Sequence, residues 1–372
     1  VTFHLLNDVD MENTEMTPLG YREKFAGTVD GHGFAFQNIR INLVSETYGI
    51  GLISYLGTTG KLLNLGIESG AIDVVYNTND SEGVGGLAGS AVGGALIRNC
   101  WNGASVKAVS GATGFTNFSI GGIVGRGYNN SIIDGCYNIG TITGDNHAAG
   151  INDWGQNNPG AALYNSFNAG RLMGGETQLA RYNTLNFATL PIANTYAIGT
   201  RFYNQTSGDL NTLNTENVLS GDAYSNGELA YRLNTGYESG KGERTYYTIA
   251  DGKTVFGTVT NQVRMLTLRI DGSDTPQLIY LPAGTVYTLN VASNAVYELA
   301  AGSAGELKDG VLTMPAADVT VNVTFSGLNY VNLEAALQKC SSANPAYFAD
   351  PAAFSAKVSE VQGKLEKNSY TL

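Results

Sequence analysis

Charge is scarce in this 372-residue chain, where Asp, Glu, Lys and Arg together make up 14 %. Globular proteins usually carry about a quarter. The basic side is thinner still: 21 Lys and Arg face 32 Asp and Glu, a formal net charge of −11. Such a surface repels phosphate backbones and anionic lipid, which argues against nucleic acid as a partner. No run of roughly 18 apolar residues occurs, so no segment reads as a membrane-inserted helix. Three cysteines, Cys100, Cys136 and Cys340, are too few for a disulfide framework. The three histidines, His4, His32 and His147, have no ligand-spaced partner in the sequence, and the H-E-x-x-H zinc motif is absent. The sequence therefore implies no metal and no cofactor.

What is plentiful is glycine, 48 residues, together with 21 tyrosines and a hydrophobic share of 43 %. Glycine supplies backbone angles that other residues resist, so a charge-poor, Gly-rich and Tyr-rich chain reads as all-β with many tight turns. Apolar residues are too many and too regular for disorder. The opening VTFHLLNDVD is already strand-like and reads as the start of a piece of a longer protein.

A phrase recurs. LIRNCWNGASVKA, IIDGCYNIGTITG and ALYNSFNAGRLMG share an apolar start, a small residue, an aromatic, Asn and a Gly turn. The small residues Leu65, Cys100, Cys136, Ser166 and Thr195 are 35, 36, 30 and 29 residues apart. A second anchor, Gly51, Gly86, Gly122 and Gly150, drifts the same way, with intervals of 35, 36 and 28. Repeats of this length mean stacked units. Their pieces are short strands ending in Gly, with no helical period, which predicts a parallel β-solenoid of about five coils. The crossover rule makes it right-handed. Stacking about 4.8 Å apart predicts an inward column of Leu65, Cys100, Cys136, Ser166 and Thr195, and an aromatic column of Trp101, Tyr137, Phe167 and Tyr196. Asn99, Asn165 and Asn194 are placed to hydrogen-bond along the stack or to cap turns, and Gly140, Gly170 and Gly199 to turn corners. In IIDGCYNIGTITG, Ile132 or Ile133 and Ile142 are the core candidates. Stacked Cys100 and Cys136 lie within disulfide range, but their parallel Cβ vectors favour two free thiols.

At these residues the chain resembles the GLUG repeat family of bacterial surface proteins, through VGGLAG…IRNCWNGASV, IGGIVG…IDGCYNIGTITG and NPGAALYNSFNAGRL. The segment FHLLNDVDM…TPLG…FAGTVDGHGFAFQNIRI is similar to the lead-in of such repeats, and the resemblance spans roughly residues 3–200. It departs at GINDWGQNN, where Asn152 and Asp153 stand in place of apolar residues and Gly, so that coil is either a distorted corner or a surface feature. GLUG repeats occur in cell-wall-associated proteins, among them IgA-specific metallopeptidases and Gram-positive adhesins, so the resemblance implies a surface solenoid rather than catalysis. Further on, TMPAADVTVNVTF resembles the closing strands of internalin-type bacterial repeat modules. The helical period of LEAALQKC…KVSEVQGKLEK resembles the start of a FIVAR-type module, cut short.

Candidate sites are few. GVGGLAG (83–89) superficially offers a phosphate loop, but no helix follows it, and a solenoid corner is the better reading. The acidic loops NDVDMEN (7–13) and NTNDSEG (77–83) lack the Gly turn or the alternating oxygens of a calcium loop. Parallel β-helices include polysaccharide lyases and glycosidases that use paired carboxylates. Of Asp30, Asp134, Asp145 and Asp153, the first reads as a turn cap and the second as outward-facing. The best ligand patch is Asp145, Asn146, His147, Asn152, Asp153 and Trp154, read as one exposed loop in which an aromatic beside carboxylates and amides suits sugar stacking.

The resulting expectation is a mainly β chain. It has a parallel β-solenoid at 1–210, a capping segment with a short helix (NGELAYRLN) at 211–254, a small antiparallel β-domain at 255–328 and a helical segment at 329–372. Its expected role is that of a non-catalytic, extracellular adhesin or stalk, a module of a bacterial protein at the cell surface or secreted. That module is joined to the cell wall through a parent protein and presents a host glycan- or protein-binding surface. The alternatives are a polysaccharide-active β-helix enzyme or an accessory region of a larger surface peptidase.

Overall fold

The computed structural model describes residues 1–45, 49–77, 83–111, 119–128, 130–145, 147–156, 162–174, 176–182, 192–199, 218–237, 244–326, 331–348 and 350–366. The chain forms two compact units, Val1–Val263 and Arg264–Leu372.

The first unit is a parallel β-solenoid. Its coils visit four sheets in turn. Four consecutive coils, 53–76, 84–110, 120–144 and 147–173, have a strand in every sheet. The first sheet has seven strands running from Thr2–His4 through Thr28–Asp30, Lys61–Leu63, Leu96–Arg98 and Ile132–Asp134 to Ala162–Tyr164 and Ile192–Ala193. The second carries eight, including Trp101–Asn102, Tyr137–Asn138 and Phe167–Asn168. The two predicted columns are present. Trp101, Tyr137, Phe167 and Tyr196 are in register, with ring centroids 6.2 Å apart for Trp101–Tyr137 and 4.8 Å for Tyr137–Phe167.

The inward column explains its own residue choice. Leu65, Cys100, Cys136, Ser166 and Thr195 are all fully buried. Four of them donate a side-chain hydrogen bond to the carbonyl two residues earlier: Cys100 to Arg98 at 3.1 Å, Cys136 to Asp134 at 3.4 Å, Ser166 to Tyr164 at 2.6 Å and Thr195 to Ala193 at 3.0 Å. A small side chain with one S–H or O–H fits the close approach and satisfies a carbonyl inside the core. Both cysteines are free, and burial pushes the Cys136 thiol up, so it is an inert part of the packing. Ile133 and Ile142 point inward and are fully buried, whereas Ile132 is half-exposed.

The Asn after each aromatic forms a second, unpredicted ladder inside the coils. Asn102, Asn138 and Asn168 are buried. Each donates to the carbonyl two residues ahead, at 3.0 Å. Asn102 also donates to Asn138 Oδ1 at 2.9 Å, and Asn138 to Asn168 Oδ1 at 2.8 Å. This ladder fixes the glycine anchor opposite. A Cβ on Gly122 would lie 2.1 Å from the Gly150 carbonyl oxygen and 2.5 Å from Asn138 Cγ, and Gly86 faces Asn102 in the same way. The Asn–Gly pairing across the coil is what the repeat encodes.

The predicted Asn column turns the corner between the first and second sheets and extends one coil further down, to Asn64. Asn64, Asn99, Asn165 and Asn194 are left-handed, with φ of 48–52°, and Gly135 (φ 62°) fills the intervening coil. Asn99 donates to Asn64 at 3.1 Å and Asn194 to Asn165 at 2.9 Å. Asn tolerates this backbone region better than other non-Gly residues.

The capping segment does more than close the last coil. Val218–Leu219 adds an eighth rung to the second sheet. The helix Glu228–Thr235 buries Leu229, Ala230 and Leu233, as its pattern predicts. A hairpin of Tyr246–Ala250 and Lys253–Gly257 then lies along the outer aromatic column. Phe256 packs 6.0 Å from Trp101 and 4.9 Å from Tyr137, and Tyr247 packs 6.0 Å from Phe167. The Tyr247 hydroxyl donates to the Asn165 carbonyl at 2.6 Å. The boundary read at 254/255 falls inside the second hairpin strand, and the hairpin belongs to the solenoid unit.

The second unit holds antiparallel pairs, such as Ala295–Leu299 with Val319–Phe325 and Val286–Thr288 with Val311–Thr313, together with one parallel pair, Val263–Ile270 with Val319–Phe325. Its core is Leu266, Leu268, Leu312, Val321 and Val323 with their neighbours. The helices Val331–Ser342 and Pro351–Glu366 follow, where the helical period lies.

Replacing Asn138 by Ala removes the partner of Asn102 Nδ2 and of Asn168 Oδ1 inside the core. Each buried group left unsatisfied costs about 1–3 kcal/mol. Chemical denaturation is expected to show a loss of about 2–4 kcal/mol with an unchanged m-value.

Candidate binding cleft

Most of the sequence-predicted patch is strand and not an exposed loop. His147–Gln156 is a ten-residue strand, paired on both sides with neighbouring coils. Register shifts against Glu176–Tyr182 mark it as a distorted rung. Asp153 is 1 % exposed and Asn152 fully buried. In earlier coils the Ile50 and Val84 amides bond to the Gly83 and Ser119 carbonyls of the next coil, at 3.0 and 2.8 Å. The interval then shortens from 36 to 28 residues, and the Ile120 amide instead bonds to Asp153 Oδ2 at 2.8 Å. The carboxylate stands in for a carbonyl the short coil does not supply. Asn152 takes the register of Val124 and, among the described residues, its amide has no hydrogen-bond partner. Asp145 is exposed and accepts from the Ser110 amide at 2.7 Å. His147 opens the strand opposite Glu176, and the Trp154 backbone pairs with Arg126. Asn146 lies outside the described residues, as do 78–82 of the second acidic loop. In the first acidic loop, Asp8 accepts from the Ala35 amide at 2.9 Å, and Asp10 from Asn38 at 2.9 Å. The 83–89 segment, read as a corner, instead holds Val84–Gly85 and the start of Ala88–Val92, two strands of one sheet.

Asp134 also differs from expectation. It alternates with inward Ile133 and so leaves the coil, but it is fully buried because the capping segment covers that face. Arg98 Nε lies 3.3 Å from Asp134 Oδ2, and Asn165 donates to Oδ1 at 2.8 Å. With Gly135 in the corner column, Asp134 supplies the oxygen that an Asn supplies elsewhere. Burial raises its carboxyl above the ordinary 3.8, against the pull of Asn165 and Arg98.

A cleft of about 410 Å³ opens where the aromatic column stops. Below Trp101 the register position is Gly66, whose Cβ would fall 2.0 Å from the indole, and below that Ala35. Phe256 stays over Trp101 and Tyr137, but the hairpin continues, and Tyr246 faces the rung that carries no aromatic. Trp101, Tyr246 and Phe256 give the cleft its apolar surface, and Asn64, Asn99, His32 and Arg244 its polar one. Sequence reading missed it, because half of its lining comes from a segment outside the repeat.

The polar wall is rigid. Thr245 Oγ1 donates to Asn99 Oδ1, Asn99 to Asn64 at 3.1 Å, and Asn64 to Asp30 Oδ1 at 3.1 Å. Asp30 also accepts the His32 amide at 3.1 Å. Burial works to raise the Asp30 carboxyl; the Asn64 and His32 hydrogen bonds and the nearby imidazoles outweigh it and hold the carboxyl below 3.8. Arg244 lies between two rings, 5.1 Å from Tyr237 and 5.0 Å from Tyr246, and donates to the Asn234 carbonyl at 2.5 Å. Beside Asp30, His4 Nδ1 and His32 Nε2 are 2.8 Å apart.

Residues 116–143 match the family model of the GLUG motif. The described part of the GLUG motif is one coil, from Ile120–Gly121 to Ile142–Gly144, and it contains Gly122 with the Asn138 it faces. Comparison with curated proteins and with solved structures finds no match in either. The chain thus contains a β-solenoid that carries a GLUG motif, and the cleft lies against the coils that precede the motif.

Because the folded carboxyl of Asp134 is raised, the folded state holds its proton more tightly than the unfolded chain. This group's contribution to stability falls as pH rises through the folded value, and is recovered on acidification toward 3.8. Unfolding free energies of wild type and Asp134→Asn, measured between pH 7 and pH 4, should therefore move in favour of wild type at the acid end. A difference independent of pH would contradict the buried, raised carboxyl.

Proposed function

We propose that this chain is a non-catalytic, extracellular module of a bacterial cell-surface protein, and that its cleft receives a glycan. The observation that carries the reading is the lining of the cleft: tyrosine, phenylalanine and indole surface beside fixed amides and a ring-clamped arginine. Sugars present C–H faces that pack on aromatic rings and hydroxyls that exchange hydrogen bonds with amides and guanidinium. A wall already held by its own hydrogen bonds needs little ordering on binding. A volume of about 410 Å³ falls within the range of about 300–1,000 Å³ for small-ligand sites.

The surface setting rests on the GLUG motif and on the likeness of 255–328 and 329–372 to internalin-type and FIVAR-type modules. Attachment to the cell wall would come through the parent protein. The non-catalytic reading is supported by where the candidate carboxylates sit. Asp145 and Asp153 accept backbone amides, and Asp134 is buried against Arg98. A glycosidase requires two carboxyl groups flanking one bond, and these three are engaged in holding coils together.

Two experiments test the reading. The immobilised chain, screened on glycan and host-matrix arrays, is expected to bind glycans, and Tyr246→Ala to weaken that binding at least tenfold with an unchanged thermal melt. Binding to nothing on either array would sink the proposal, and turnover of uronate polymers would sink its non-catalytic half. Asp153→Ala, which strands the Ile120 amide, is expected to lower stability by about 1–3 kcal/mol while leaving glycan affinity of the folded protein unchanged.

A further inference from the structure

We propose that His4, Asp30 and His32 form a binding site for one divalent first-row transition-metal ion, which clips the first strand of the solenoid to the next coil. The sequence separates His4 from the other two by a whole coil. Parallel pairing of Thr2–His4 with Thr28–Asp30 sets His4 opposite Asp30. The turn that follows brings His32 back beside them, with φ of 52° and its amide tied to Asp30 Oδ1. One ligand atom from each residue falls within 4.8 Å of the others.

The geometry and the donor set agree. His4 Nδ1 and His32 Nε2 are 2.8 Å apart. Ligand atoms about 2.1 Å from a metal stand about 3.0 Å apart at an octahedral right angle and about 3.4 Å apart in a tetrahedron, so a few tenths of an ångström brings the two imidazole nitrogens to ligand spacing, and a rotation of the Asp30 carboxylate by about an ångström completes the set. The ion takes the place of the hydrogen the two rings share, and that proton leaves to solvent. Two imidazoles and one carboxylate suit zinc, nickel or copper, whereas calcium and magnesium prefer an all-oxygen shell. Asp30 Oδ1 accepts both the Asn64 side chain and the His32 amide. Those bonds orient the carboxylate and leave its second oxygen uncommitted, as outer-shell partners do at metal sites.

The location gives the ion a structural consequence. Thr2, Phe3 and His4 are all exposed and form the outermost strand of the seven-stranded sheet. Among the described residues this strand is paired on one side only, and such a strand opens more readily than one paired on both. A ligand bridging that strand and the next coil binds the folded state alone and stabilises it. The site shares His32 and the Asn64–Asp30 hydrogen bond with the cleft wall, but it does not rest on the glycan reading, and zinc binding and glycan binding are read separately.

Zinc is the probe, added to the metal-stripped 372-residue chain. Calorimetry is expected to show one ion per chain, and hydrogen exchange to slow at the Leu5 and His32 amides, with no effect from calcium at the same concentration. His4→Ala, at an exposed site, and His32→Asn, which tolerates the left-handed backbone, should each weaken zinc binding at least tenfold with unchanged circular dichroism. Absence of zinc binding by the wild-type chain, or undiminished binding by His4→Ala, would overturn the proposal.

Discussion

Each coil must lie within hydrogen-bonding distance of the next, about 4.8 Å away, on all four sides at once. Everything else in the solenoid answers to that demand. Residues at one level are repeated at the next because they occupy the same space. Asn138 is acceptable inside the core because the coils on either side bring Asn102 and Asn168 to its amide. An isolated buried Asn would be costly, but a stacked one is satisfied along the ladder. The glycine opposite follows from the Asn, since no Cβ fits between Asn138 and the Gly150 carbonyl. Cys, Ser and Thr share one column because each carries a single small donor for the carbonyl two residues back.

The same demand explains the acids. In a chain with few charges, the carboxylates of Asp8, Asp10, Asp134, Asp145 and Asp153 all accept a hydrogen bond from another coil. Asp153 replaces a carbonyl where a coil is short. Asp134 replaces an amide oxygen where Gly135 interrupts the corner column. Asp134 and Asp153 sit where the repeat fails to supply a regular partner. A departure from the pattern therefore marks a repair of the stack before it marks chemistry.

This is why the scaffold was legible in the sequence and the cleft was not. Period and residue type locate Cys100, Cys136, Tyr137 and Ile142, because in a stacked fold position along the chain converts directly to position in a column. The role of the Asn after each aromatic was visible as a repeat but not as a contact, since the facing glycine lies on another side of the coil. Asp134 was read as leaving the coil, which it does; its burial depends on residues beyond 227, and no period connects them to it. The patch around Asp145 and Asp153 was read as a loop because polar residues broke an apolar pattern, whereas coils on both sides hold that segment as a strand.

The cleft exists because two lengths differ. The aromatic column ends at Trp101, where Gly66 leaves room only for the indole, while the hairpin, whose Phe256 lies over Trp101 and Tyr137, carries Tyr246 past it. A hairpin one rung shorter would leave no overhang, and an aromatic at position 66 would fill the space. Along the rest of the column each outer ring is covered by the hairpin or the capping segment, so apolar surface and fixed polar groups meet where the repeat and its cover fall out of step. A solenoid made only of identical coils offers the same face at every level, and it acquires a particular site only where something outside the repeat begins or stops.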